Sequence, residues 1–249
     1  MGNRAGSRHS EEGSLNTEDR CKVICHMYVS IDGKIDGAYM EEDDRSDSGD
    51  FYDEAIWQMG NANGNGRVTA EMYFANHRID YAPYEGREVP AGDYICKDEY
   101  YWVIFDRTGR CNWLQNYVDY GGKTARVVMV LTEKVRKAYL AYLQEKEIPY
   151  LLCGEEDLDL ALAMKKCKEE LGIGTLVLTG GAVINGAFFK AGLIDEISLV
   201  MAPYIEGNAR EKSFLDTLGS YTGTRYRFKD LQRFTDGGVQ LLFEKENEG

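Results

Sequence analysis

The chain has 249 residues, 43% of them hydrophobic and 29% charged, and a formal net charge of −13 at pH 7. That length buries a sizeable core, and the composition is that of an ordinary soluble globular protein. The acidic balance argues against a nucleic-acid partner, which needs a basic face, and no apolar run reaches the length of a membrane span.

Residues 1–20 are polar, without an apolar period, and read as a disordered leader ahead of a single domain over 21–249. "MGNRAG" misses the myristoylation pattern because Gly6 stands where Ser or Thr is needed. "CKVICHMYVS" is a β-branched and aromatic run of strand type ending at Ser30. A Gly- and Asp-rich loop follows, and "FYDEAIWQMG" has helical spacing with Ser48 or Asp50 as N-cap. Its acidic run "EEDDRSDSGDFYDE" lacks the glycine spacing of a calcium loop and reads as a solvated loop able to close over a ligand.

"NGNGRVTAEMYFANHR" reads as turn, short strand and short helix, with Thr69 as N-cap. Residues 77–99, with Pro83, Gly86, Pro90 and Gly92 amid tyrosines, read as a long excursion. "YYWVIFDR" and "ARVVMVLT" are strand-like, after which "EKVRKAYLAYLQEK", "LDLALAMKKCKEELG" and "AVINGAFFKAG" (helical) alternate with "IPYLLCG", "TLVLTGG" and "IDEISLVMAPYIEG" (strand). Such alternation implies a largely parallel sheet covered on both faces. "TRYRFKDLQRF", Asp236-Gly237-Gly238 and "VQLLFEKE" close the chain as an antiparallel hairpin.

Six cysteines are scattered through apolar or mixed contexts, which fits a reduced cytoplasmic protein. Cys21, Cys25 and His26 have no second ligand pair at zinc-site spacing, so no metal is expected.

Three short blocks carry chemistry. In "LTGG" a buried strand ends in Gly180-Gly181 before a helix. Unpartnered first-turn amides and the macrodipole make such a start a seat for a pyrophosphate, while the plainer alternative is a tight left-handed turn. In "GRVT", Gly66–Thr69, Arg67 either reaches a phosphate or is a surface arginine beside a turn. In "VSIDGKIDG", Asp32 and Lys34 lie at the carboxyl edge of the sheet, where open α/β sheets place ligands, or Asp32-Gly33 is only a structural turn. His26 either satisfies a core hydrogen bond or donates to a substrate oxygen or phosphate.

Together, "YVSIDGKI", "GRVT" and "LTGGAVINGAFFKAGLIDEISLVMAPYIEG" resemble the dihydrofolate-reductase-like superfamily, above all the reductase domain of the bifunctional riboflavin-biosynthesis deaminase-reductase, across most of residues 22–245. The resemblance implies a mixed, mostly parallel sheet, NADPH as hydride donor, a small-molecule substrate and a homodimer. It implies that Thr179, Gly180, Gly181, Ala182 and Val183 hold the cofactor, with Gly66, Arg67 and Thr69 beside it and Thr132 near the adenosine phosphate. Ser30, Asp32, Gly33 and Lys34 would border the nicotinamide and substrate, with Asn185 also at the substrate; the catalytic group expected here is Asp32 or a water it holds, with Lys34 and His26 orienting the substrate. The riboflavin reductase acts on 5-amino-6-(5-phosphoribosylamino)uracil. No deaminase signature is present. The chain departs from the family where it has Thr179 for a glutamate, His26 for a lysine, Asp36 for a small residue and Glu133 where a base would hold a 2′-phosphate, with Lys134 and Arg136 nearby. These departures keep two alternatives open: a reductase of dihydrofolate or another small electrophile, and a non-catalytic nucleotide-binding protein.

Overall fold

The computed structural model describes residues 18–41, 47–221 and 223–246, so most of the expected leader and the heart of the acidic run, 42–46, lie outside the described residues. The leader's last residue belongs to the fold. Arg20 is buried, and its guanidinium forms a two-pronged bond with Asp195 at 2.9 and 2.7 Å.

The strands are β1 (Lys22–Val29), β2 (Ala62–Gly66), β3 (Tyr101–Phe105), β4 (Tyr117–Tyr120), β5 (Lys123–Leu131), β6 (Tyr150–Leu152), β7 (Thr175–Leu178), β8 (Glu196–Met201), β9 (Tyr226–Arg233) and β10 (Val239–Lys245). They form one ten-stranded sheet in the order β4-β5-β3-β2-β7-β1-β8-β10-β9, with β6 also on β5. From β6 through β5, β3, β2, β7 and β1 to β8 the strands run parallel, and β4, β9 and β10 pair antiparallel. The mixed, mostly parallel sheet with a C-terminal antiparallel hairpin matches expectation. The β4–β5 hairpin was not anticipated. It turns on Gly121 and Gly122, both at positive φ, the backbone that a two-residue hairpin turn requires.

Side chains of one strand alternate between two cores, as the period of two demands. Tyr101, Val103 and Phe105 join α4 (Leu160–Leu171) and α5 (Ala182–Lys190), whereas Trp102 and Ile104 join α3 (Lys137–Glu145) and Ala70 of α2 (Arg67–Tyr73). α1 (Asp47–Gln58) covers β1, β2 and β8. α4 is closed at both ends. Asp159 accepts from the Leu162 amide at 2.9 Å, and Gly172 takes the left-handed conformation that ends the helix.

Two expected caps are corrected. α1 starts at Asp47, so Ser48 and Asp50 lie inside it, and buried Ser48 instead donates its hydroxyl to Asp236 at 2.6 Å. Gly66 occupies the N-cap of α2, because the strand runs straight into the helix there and Thr69 already has helical backbone.

Candidate functional site

Parallel neighbours end at the same edge of a sheet. β2, β7 and β1 are adjacent, with Gly64 and Cys25 both opposite Leu178, so Gly66–Thr69 and Thr179–Val183 emerge side by side, while β1 runs on four residues past Cys25 to Val29 before Ser30–Lys34 leaves the same edge. The Gly66 amide donates to the Gly180 carbonyl at 2.9 Å, which ties "GRVT" to "LTGG" directly.

Gly180 has φ +102°, which an L side chain rarely adopts, and its peptide to Gly181 is cis. Gly181 is the N-cap of α5 and offers no side chain to the first-turn amides. A Cβ at Gly181 would lie 3.4 Å from Thr69 Oγ1, so the glycine keeps open a gap between the starts of α5 and α2. That opening, an uncapped helix start and an arginine beside it suit a dinucleotide pyrophosphate. Val183 is exposed at this start, whereas Ala182 is buried and its carbonyl accepts from Asp216. Arg67 is half-buried and ion-paired with Glu71 one turn along α2. Thr132 lies farther out at the end of β5, and its buried hydroxyl donates to the Arg107 carbonyl at 2.8 Å.

Thr179 is the hub of a polar network that the sequence reasoning missed. Its hydroxyl donates to Asn63 Oδ1 at 3.1 Å and accepts from Asn63 and Asn65 Nδ2, both at 3.0 Å. Asn65 also reaches the Gly180 carbonyl at 3.3 Å, and its Oδ1 is buried without a partner. The spacing of Asn63 and Asn65 in "ANGNG" was the available signal, since residues two apart share a strand face.

The residues expected to do catalysis are differently engaged. Asp32 accepts from Ser30 Oγ at 2.7 Å and from the amides of Glu206 and Gly207, both at 3.0 Å. These bonds, the Ser30 hydroxyl foremost, pull its pKa down to about 2. Ser30 is buried and also accepts from the Lys34 amide, while Gly33 turns the chain at φ +77°. Lys34 Nζ donates to the Glu211 carbonyl at 2.7 Å. Asp32 and Lys34 thus fasten the β1 exit to the segment 206–211. Asp36 is at the surface, where its carboxylate accepts from the Gly37 amide.

His26 is fully buried, stacked on Tyr52 with ring centroids 4.7 Å apart. Nδ1 meets Ser198 Oγ at 2.9 Å and Nε2 meets the Tyr52 carbonyl at 3.1 Å. Burial pushes its pKa down to about 4, so the ring is neutral at physiological pH. Asn185 is on the buried face of α5 beside Gly180, with its Nδ2 donating to the Phe214 carbonyl at 2.6 Å and 3.3 Å from Met27 Sδ, and its Oδ1 meets no partner among the described residues. Gly186 beside it permits that packing, because a Cβ there would come within 1.8 Å of the Asp216 carbonyl oxygen.

Among the described residues no cluster of three metal-ligating side chains exists, and no helix is long and apolar enough to cross a membrane. All six cysteines are free.

Solved structures share this architecture. A pyrimidine reductase-like protein from Corynebacterium diphtheriae has a TM-score of 0.65 at 13% identity, over 95% of this chain and 97% of that one. Acinetobacter baumannii RibD has a TM-score of 0.62 at 17% identity over 92% of this chain, which spans only 59% of that protein's length. The riboflavin biosynthesis reductase Rib7 of Saccharomyces cerevisiae has a TM-score of 0.58 at 13% identity, over 92% of this chain and 91% of that one. At these identities the likeness establishes the fold. Residues 21–240 match the RibD C-terminal domain, and the chain belongs to that family.

Proposed function

We propose that the chain is a cytoplasmic, NADPH-dependent reductase of a small heterocyclic substrate, of the riboflavin-pathway type. The meeting of Gly66–Thr69 and Thr179–Val183 at the ends of adjacent β2 and β7, with Ser30–Lys34 farther out at the same edge on neighbouring β1, carries the proposal. The amides at the start of α5 would hold the pyrophosphate, with Arg67 and Thr69 flanking it and Thr132 bounding the adenosine side. When bound, the cofactor supplies a hydride. The chain's own contribution is to orient the electrophile against it and to exclude water.

Asp32 and Lys34 enter this proposal as positioning residues, because their charged ends are spent on backbone groups of 206–211. We assign the substrate-facing polar group to Thr179, which is partly exposed and whose hydroxyl is held by buried Asn63 and Asn65. Its neutrality favours a second possibility within the same class. Where the family commonly has a glutamate and a lysine, Thr179 and His26 offer no charge, so a substrate other than 5-amino-6-(5-phosphoribosylamino)uracil, such as dihydrofolate, suits the site equally. We further propose a homodimer, consistent with exposed Phe228 and Leu231 on the edge strand β9. Sedimentation of wild type and Phe228→Lys tests it, a monomeric wild type refuting it.

The deciding experiment is calorimetric titration with NADPH and NADH, followed by turnover on both substrates. Absence of binding by either nucleotide would refute the reductase proposal. Binding without turnover on any small electrophile would leave a nucleotide-binding protein.

A further inference from the structure

The sheet face that carries Thr179 continues across β2 and β3 into an aromatic wall. Asn63 is paired opposite Trp102 and Asn65 opposite Ile104, so Trp102 stands beside the two asparagines that hold Thr179. Around Trp102 lie Trp57 of α1, Phe74 at the end of α2 and Tyr120 of β4, with ring centroids 6.1, 5.6 and 5.5 Å away. A cation of the chain itself already sits by this wall: Lys123 Nζ is 5.7 Å from the centroid of the Trp57 ring.

Asp53 borders the wall without a counter-ion. It shares a flank of α1 with Trp57, one turn on, and accepts from the Tyr120 hydroxyl. Among the described residues no Lys, Arg or His pairs with it. Burial raises the pKa of its carboxyl, the Tyr120 bond opposes that, and Asp50, one turn earlier, adds to it. Two further polar atoms on this face lack partners, Asn65 Oδ1 and Trp102 Nε1, in residues only 3% exposed. A carboxylate without a cation, an acceptor without a donor and a donor without an acceptor together outline the complement of a flat cation that bears N–H groups.

We propose that the face between α1 and α2 binds a cationic, unphosphorylated small molecule, its N–H groups on Asp53 and Asn65 and its flat part against Trp102 and Tyr120. The inference rests on the substrate site proposed above, which it adjoins through Asn63 and Asn65, and it narrows the substrate of that site. A phosphate would stand against the like charges of Asp50 and Asp53, whereas an aromatic amidinium gains both a counter-ion and a cation–π contact. Asp53 is then a specificity-determining residue.

The test is calorimetric titration of wild type, Asp53→Asn and Asp119→Asn with benzamidine, its neutral isostere benzamide, and ribose 5-phosphate, at low salt and without nucleotide. Wild type should bind benzamidine about ten-fold or more tighter than benzamide, and ribose 5-phosphate more weakly than either. Asp53→Asn, in which the amide oxygen keeps the Tyr120 bond, should lose that preference. Asp119→Asn, at an exposed carboxylate next to Tyr120, should keep it. Equal affinity for benzamidine and benzamide in wild type, a preference that survives in Asp53→Asn, or tighter binding of ribose 5-phosphate than of benzamidine would overturn the proposal. Hydrogen exchange gives the location in wild type, whether or not the variant folds: benzamidine should slow exchange in 53–58 and 67–74, and protection confined to other segments would equally overturn it. No nucleotide enters these titrations, so their failure leaves the reductase proposal standing, and a failure of NADPH to bind leaves the cation result standing.

Discussion

Gly181→Ala separates a binding role for the glycine pair from a structural one. Gly181 has φ −70°, which alanine adopts freely, and the new Cβ would meet Thr69 Oγ1 at 3.4 Å, an ordinary contact. The folded state should therefore tolerate the change within about 1 kcal/mol, part of the cost being offset by the stiffer unfolded chain. The methyl group nevertheless occupies the gap through which a phosphate would approach the α5 amides. Dinucleotide affinity should fall by about ten-fold or more, equivalent to about 1.4 kcal/mol. Gly180→Ala is the contrasting variant: at φ +102°, with Met27 Cε 3.2 Å from the new Cβ, it should cost about 1–3 kcal/mol of stability. Urea unfolding measures the stabilities and calorimetry the affinities. A Gly181→Ala protein that binds NADPH as tightly as wild type would refute the seat, since the added methyl has no other place to go.

Thr179→Val removes the acceptor shared by Asn63 and Asn65, and should cost about 1–3 kcal/mol in urea unfolding because those amides are buried; a cost under about 0.5 kcal/mol would mean that the network is already solvated. His26 has its folded pKa lowered to about 4 from 6.5, so its contribution is complete above pH 6.5 and is lost as pH falls toward 4. That loss should reach about 3 kcal/mol at 1.36 kcal/mol per unit, and should flatten in His26→Phe, in which Ser198 keeps its bond from Gln240; an equally steep fall in the variant would show that other groups titrate. Asp32→Ala should leave cofactor affinity intact while amide exchange at Glu206 and Gly207 accelerates, and unchanged exchange there would argue against its fastening role.

The sheet was legible because its signals are local and redundant. Strands such as "TLVL" and "ISLVM" are apolar on both faces, as only strands of a doubly covered parallel sheet need be. The β4–β5 hairpin hid because its first strand, "YVDY", is only four residues long, although its Gly-Gly turn was visible. Motif placement at one edge was also legible, since it needs only the chain to end three strands there. What each side chain touches was not. Asp32 in a "SIDGK" block looks the same whether it faces a ligand or clamps 206–207, because its partners lie 174 and 175 residues away. Asn185 looked available for substrate, but Gly186 lets the 216 segment close over α5. The Asn63 and Asn65 pair was overlooked because asparagine beside glycine usually marks a turn rather than a buried strand.

The network at the strand ends also constrains where a proton for the proposed reduction comes from. Hydride addition to an electrophilic carbon leaves a negative charge on its neighbour, and that charge must be quenched. Thr179 cannot easily do so: its single hydroxyl proton is already donated to Asn63, and it accepts from two amides. His26 is neutral, enclosed, and bonded through both ring nitrogens. Asp32 is ionised across the physiological range and faces 206–207. The Asn63 and Asn65 amides are buried and already donate to Thr179, and Asn65 also to the Gly180 carbonyl. In the proposed reduction none of these groups is a ready proton donor, which leaves Lys34, water or the substrate itself.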